Sequence, residues 1–151
     1  MLPQDEFEEI ICDPSKRVDG NITWQTDQSH ALWVGFRAEV LSDNSYPLFV
    51  KGSYNQAIQA LTFALIHSSV GRIYALDLGK DHKNPGGVRV GEKHKHRWDE
   101  TLRDKEAYAP TDITAPANQP INVWQQFCQE AIITHNGIML PPPAWQPGLF
   151  L

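Results

Sequence analysis

Apolar and polar positions recur along this chain with two different periods, and the change of period divides it into elements. Phe7, Ile10 and Ile11 follow Pro3, Asp5 and Glu6 at i, i+3, i+4 spacing. That pattern predicts a short amphipathic helix from Pro3 to Cys12, stopped by Asp13-Pro14. Val18 to Asp27 reads as a strand with Ile22 and Trp24 on one face, and Asp27 to His30 as a turn. The clearest period of two runs from Ala31 to Leu41. There Leu32, Val34, Phe36, Ala38 and Val40 alternate with Trp33, Gly35, Arg37 and Glu39. Ser42-Asp-Asn-Ser45 is a turn signal, and Tyr46 to Lys51 completes a hairpin.

Gln56 to His67 satisfies both periods. Ala57, Ile58, Leu61 and Leu65 make a helical stripe, while Leu61, Phe63 and Leu65 alternate as in a strand. Gly71 to Gly79 reads as a buried strand, Lys80 to Gly91 as a polar connection, Lys93 to Trp98 as a further strand and Asp99 to Gln119 as a loop. Ile121, Trp124, Phe127, Cys128, Ala131 and Ile132 form one stripe over Pro120 to His135. Asn118 is its candidate N-cap and Asn136-Gly137 its left-handed end. Residues 138–151 form a Pro-rich tail in which Pro141 to Pro143 is extended and Trp145, Phe150 and Leu151 are apolar. The tail either folds back on the core or docks on a partner. The expected fold class is α+β: a single domain over residues 1–151, with one antiparallel sheet of five or six strands flanked on one face by the N- and C-terminal helices.

Composition adds bounds. A chain of 151 residues with 41% hydrophobic and 21% charged content can bury an ordinary core. Its longest apolar run is far shorter than the ~20 residues of a membrane span. Asp5 and Glu6 stand where a secretory leader would carry basic residues. Cys12 and Cys128 lie outside any CxxC pattern and read as two buried thiols in a reducing compartment, so a cytoplasmic location is expected.

The net charge is −5, which excludes a protein that is basic overall, yet the charge is unevenly placed. Residues 1–20 hold six acids against two bases, and residues 80–97 hold six bases against two acids. That basic stretch also contains His82, His94 and His96. In a strand, His94, His96 and Trp98 share one face, with Lys93, Lys95 and Arg97 on the other. Asn84-Pro85-Gly86-Gly87 would bend the preceding loop and bring His82 toward them.

Three chemistries fit. The three histidines can ligate a divalent metal, with Asp77, Glu92 or Asp99 adding a carboxylate. They can act as general acid and base on a phosphodiester, with the cations holding phosphate. Or Lys93, Lys95, Arg97 and Trp98 can bind nucleic acid without cutting it, with Tyr108 as a second stacking face. A solvated polar strand without chemistry is the bland alternative. The glycines match neither GxxxxGK[ST] nor GxGxxG, and no GxSxG elbow is present. His30, His67 and His135 are scattered.

The motifs Gly79-Lys-Asp-His-Lys-Asn-Pro-Gly86, His94-Lys-His96, Tyr108-Ala-Pro110 and Trp124-Gln-Gln-Phe-Cys128 resemble a family of small uncharacterised prokaryotic proteins. Its members pair an H-x-N-P-x-G turn with an H-x-H strand, an aromatic-Pro step and a C-terminal helix. The resemblance runs from about Lys51 to Pro143. It implies an α+β meander and favours a strand for Gln56 to His67. It carries no established activity, though such small proteins often travel on mobile elements with toxin or defence roles. The expected function is therefore a nucleic-acid-directed accessory protein, a nuclease if the histidine cluster is catalytic. The alternative is a non-catalytic, self-associating or protein-interaction module, suggested by the apolar tail and five tryptophans.

Overall fold

The computed structural model describes residues 1–27 and 32–144. The expected turn residue His30, the strand start at Ala31 and the tail residues Trp145 to Leu151 lie outside the described residues. Helix α1 (Gln4–Cys12) buries Phe7, Ile10 and Ile11, the stripe read from the sequence. Its C-terminal carbonyls are held by the buried Lys16, whose Nζ donates to Ile10 O, Ile11 O and Asp13 O at 2.7–2.9 Å. A cation at that end of the helix opposes its dipole favourably.

The expected strand Val18 to Asp27 is two short ones, β1 (Arg17–Asp19) and β2 (Gln25–Thr26). Between them Gly20 takes a left-handed φ of 93°, which breaks the extended run. Six longer or edge strands follow: β3 (Trp33–Val40), β4 (Leu48–Asn55), β5 (Ala60–His67), β6 (Gly71–Leu78), β7 (Lys93–Arg97) and β8 (Ala107–Tyr108). Strands β2 to β8 pair antiparallel in sequence order, so the sheet is a seven-stranded meander rather than one of five or six strands. The extra members are the edge strands β2 and β8, each of two residues, too short to show a period. The segment from Ala60 is a strand, not a helix; Ile58, part of the helical stripe, stands 63% exposed in the preceding turn.

Helix α2 (Pro120–Ala131) ends earlier than its stripe suggests, at Ile132 in the left-handed region. His135 therefore belongs to β9 (Thr134–Asn136), which pairs parallel with β1 in a separate two-stranded sheet. Gln119, not Asn118, precedes the helix as its cap. Gly137 closes this junction, because a Cβ there would sit 2.3 Å from Gly20 O.

The core lies between α2 and one face of the sheet. Phe63 packs at 5.3 Å from Trp124, Phe36 at 5.7 Å from the same ring, and Tyr74 at 5.9 Å from Phe127. Such centroid distances are those of favourable aromatic pairs. Gly52 makes room for the Phe36 ring, which an added Cβ would meet at 2.1 Å. Cys128 is buried as expected, but Cys12 is exposed, since it ends α1 on the side away from the core stripe. Among the described residues no helix is long and apolar enough to cross a membrane.

Candidate metal centre

The face of the sheet away from α2 gathers the polar residues. The β5–β6–β7 register sets Thr62 opposite Asp77 and Asp77 opposite His94, with Ala75 opposite His96. Directly opposed residues share a face, so Thr62, Asp77, His94 and His96 stand together. Asp77, His94 and His96 are all at most 5% exposed.

His82 arrives from the β6–β7 connection, and the turn motif explains how. Val90 N donates to His82 O, Asn84 N to Val88 O and Gly87 N to Asn84 O, which makes residues 82–90 a small hairpin bent at Pro85-Gly86-Gly87. The Asn84 amide then clasps β8, donating to Ala107 O at 2.9 Å and accepting from Ala107 N at 2.8 Å. Asp81 closes the base by accepting from Gly91 N and Arg89. With the hairpin so held, the rings of His82, His94 and His96 lie 4.6–5.4 Å apart, centroid to centroid. One nitrogen of each falls within 4.8 Å of the others.

Each imidazole also spends a nitrogen on a backbone carbonyl: His94 Nδ1 on Gly91 O at 2.9 Å, His96 Nδ1 on Asp104 O at 2.6 Å and His82 Nε2 on Lys105 O at 2.7 Å. A carbonyl only accepts, so those nitrogens carry the protons. In the neutral imidazoles His94 Nε2, His96 Nε2 and His82 Nδ1 would then hold lone pairs, the arrangement seen when outer hydrogen bonds orient metal-binding histidines, whereas in the doubly protonated form the Nε2 atom of His94 or His96 donates to Asp77.

Asp77 sits beside two of them. Its Oδ2 is 3.2 Å from His94 Nε2 and 3.3 Å from His96 Nε2, and its Oδ1 accepts from Thr62 Oγ1. Two ligands held by zinc at about 2.1 Å in tetrahedral geometry lie about 3.4 Å apart, so each of these two Asp77–imidazole spacings suits a pair of donors on one ion. Burial opposes the charge on Asp77, but hydrogen bonds from His94, His96 and Thr62 and the charge of Arg72 outweigh it and hold the carboxyl well below its usual range. For His94, burial likewise works against the charged form. The Asp77 carboxylate and the Gly91 carbonyl prevail, and its pKa is raised. Arg72 also donates to Asp104 at 2.7 Å, tying the residue whose carbonyl orients His96 into the same network.

The cluster opens into a cleft of about 640 Å3 lined by Arg72, Lys80, Lys83 and Lys105 and by the acids Asp77, Asp81 and Asp104. Lys80 Nζ donates to Thr62 Oγ1 at 2.9 Å, one step from Asp77. Arg72 is paired with Asp104 and Asp81 with Arg89.

Of the residues singled out in the sequence, His82, His94, His96 and Asp77 come together. Glu92 is exposed, and Asp99 caps the turn at Thr101 and Leu102. The expected nucleic-acid strand is used structurally. Lys93 donates to Ile113 O, and Arg97 pairs with Glu8 of α1 at 2.7 Å. Lys95 is fully buried and ion-paired with Asp112 and Glu130. Trp98, just past β7, is 2% exposed and gives its indole N–H to Leu2 O, which leaves no open ring face for a base to stack on. These four bind the two helices and the 112–113 segment to the sheet. His135 bridges Trp124 and Gly20, and His67 accepts from Ser69 N. Thr62, Arg72 and Asp104 went unread because only strand register and loop closure bring them to the site.

A family model for proteins of unknown function matches residues 2–133. The chain belongs to that family, DUF6978. The match covers α1, the whole meander and α2, so the histidine cluster lies inside the family's domain. No curated protein and no solved structure matches the chain.

Proposed function

We propose that the chain is a metal-dependent hydrolase of phosphodiester bonds, with His82, His94 and His96 as metal ligands and Asp77 completing or orienting the set. The observation that carries this reading is that three imidazoles converge with one nitrogen each fixed on a carbonyl, and a buried carboxylate stands 3.2–3.3 Å from two of the others. A zinc-class ion held by His82, His94 and His96 would supply an activated water and a positive charge beside the phosphoryl group. Arg72, Lys80, Lys83 and Lys105 at the rim suit a phosphate-bearing substrate. In the reaction the water oxygen bonds to phosphorus and one ester P–O bond breaks. One water proton goes to the departing oxygen and the other to solvent. The exposed, unpaired thiol of Cys12 fits a reducing, cytoplasmic setting.

A second reading uses the same side chains without metal. The raised pKa of His94 on Asp77 suits an imidazolium that donates a proton to a leaving oxygen. The experiment that separates the two is cleavage of RNA and single-stranded DNA by wild type and the His94→Ala/His96→Ala variant, after EDTA and after readdition of Zn2+ or Mn2+. Cleavage abolished by EDTA, restored by metal and lost in the variant is the expected result. Cleavage that survives EDTA but is lost in the variant selects the metal-free reading, and no cleavage under any condition overturns both.

A further inference from the structure

The face that carries the histidines continues across the whole meander. Reading the register strand by strand, Gly35, Ser53, Thr62, Asp77 and His94 are opposed in one row. Arg37, Lys51, Ala64, Ala75 and His96 form the next. In the second row only Ala64 and Ala75 separate the cations from His96, and in the first row Ser53, Thr62 and Asp77 lie between Gly35 and His94, which leaves a shallow floor. Strands are spaced about 4.8 Å apart, so four steps from β3 to β7 measure roughly 19 Å.

A second cleft, of about 690 Å3, lies over the β3–β4 end of this face and is lined by Trp33, Lys51, Ser53 and Lys80. Lys80 also lines the histidine cleft, so the two meet at that residue. Its Nζ is 5.2 Å from the centre of the Trp33 ring and 2.9 Å from Thr62 Oγ1. Trp33 is only partly buried, unlike Trp24, Trp98 and Trp124, which are in the core. Lys51 is exposed and has no ion-pair partner among the described residues. Acids are few here: Glu39 is held by Arg37 at 3.1 Å, and Asp27 stands at the cleft's margin.

We propose that this face is a binding track for single-stranded nucleic acid, running from a stacking position on Trp33, past Lys51 and Lys80, to the histidine centre. The proposal rests on the reading of that centre as the place of phosphodiester hydrolysis, and it names the substrate class. A partly exposed indole offers a base a stacking partner, and the neighbouring ammonium groups match phosphates spaced along the strand. A duplex keeps its bases stacked on each other and has none to offer Trp33. A single strand does, and it is flexible enough to follow the floor.

The test is fluorescence anisotropy with a labelled oligonucleotide at low salt in EDTA. Single-stranded and duplex forms would be compared on wild type, Trp33→Ala, Lys51→Glu and His94→Ala/His96→Ala. The track predicts that wild type prefers the single strand and that Trp33→Ala weakens binding by about tenfold or more. Lys51→Glu, a change at an exposed side chain that keeps the test open should Trp33→Ala fail to fold, should weaken binding and flatten its salt dependence. Zn2+ affinity should be unchanged in both. Equal affinity of wild type and Lys51→Glu, or duplex bound as tightly as single strand, would overturn the track. The histidine variant separates the two claims. If it keeps oligonucleotide binding while wild type shows no cleavage with any metal, the track stands and the hydrolase falls.

Discussion

Replacing Asp77 by Asn removes one charge while leaving the side-chain volume almost unchanged, so it isolates electrostatics at the centre. Asp77 is 5% exposed, and its oxygens face Thr62, His94 and His96. Breaking one partner of such a buried charged pair costs about 3 kcal/mol. For a chain of this size that corresponds to a fall in Tm of roughly 6–12 °C. The pH at which the loss appears follows from the two shifts. The Asp77 pKa is lowered, so its contribution is present above about pH 4, the unfolded value, and is lost as pH falls through the lower folded value. The His94 pKa is raised, so its contribution is complete below about pH 6.5 and is lost as pH rises through the higher folded value. Metal-free wild type should therefore exceed Asp77→Asn in Tm most clearly near about pH 5.5, with the gap narrowing as pH rises through the raised His94 value. Because metal binding needs His94 neutral, Zn2+ affinity of wild type should rise over that same range, and the variant should bind about 10- to 100-fold more weakly. Thermal melts of both proteins in EDTA across this range, followed by Zn2+ titration, provide the measurement. Equal Tm values at about pH 5.5, or a gap independent of pH, would refute the electrostatic argument.

Other consequences follow from the same geometry. Asn84→Ala should release the hairpin that delivers His82, weakening Zn2+ binding about tenfold with little loss of global stability; Zn2+ titration beside a thermal melt checks this, and unchanged affinity would contradict it. Lys95→Met should leave Asp112 and Glu130, which are 42% and 27% exposed, without their cation and cost roughly 1–3 kcal/mol in urea unfolding, while changing neither Zn2+ nor oligonucleotide affinity. Thiol labelling of the native protein should modify Cys12 alone, because burial pushes the Cys128 thiol up to about 12; denaturant should expose the second thiol.

The sequence made the pair His94 and His96 legible because strand alternation is visible in the chain itself. The turn that brings His82 was legible because Asn-Pro-Gly-Gly has few other uses. The cations that alternate with the histidines read differently for a physical reason. On a strand they look like a solvated basic face, and only the approach of Glu8 from α1 and Glu130 from α2 turns Arg97 into a half-exposed tie and Lys95 into a buried one. Glu8 is 89 residues from Arg97, a separation no local pattern spans. Thr62 and Arg72 were hidden likewise, since a one-residue slip of register would carry Thr62 to the opposite face. Strand β5 shows local propensity yielding to context. Its Ala and Leu suit a helix, but pairing with β4 and β6 on both sides leaves Leu61, Phe63 and Leu65 at most 1% exposed.

The most direct test of the central claim is the stoichiometry and affinity of Zn2+ binding, measured by isothermal titration and native mass spectrometry on the full chain. Wild type should bind one ion tightly, and His82→Ala, His94→Ala and His96→Ala should each lose it while retaining a cooperative thermal transition. A wild type that binds no ion, or variants that bind as wild type does, would contradict the assignment of these histidines as a metal centre.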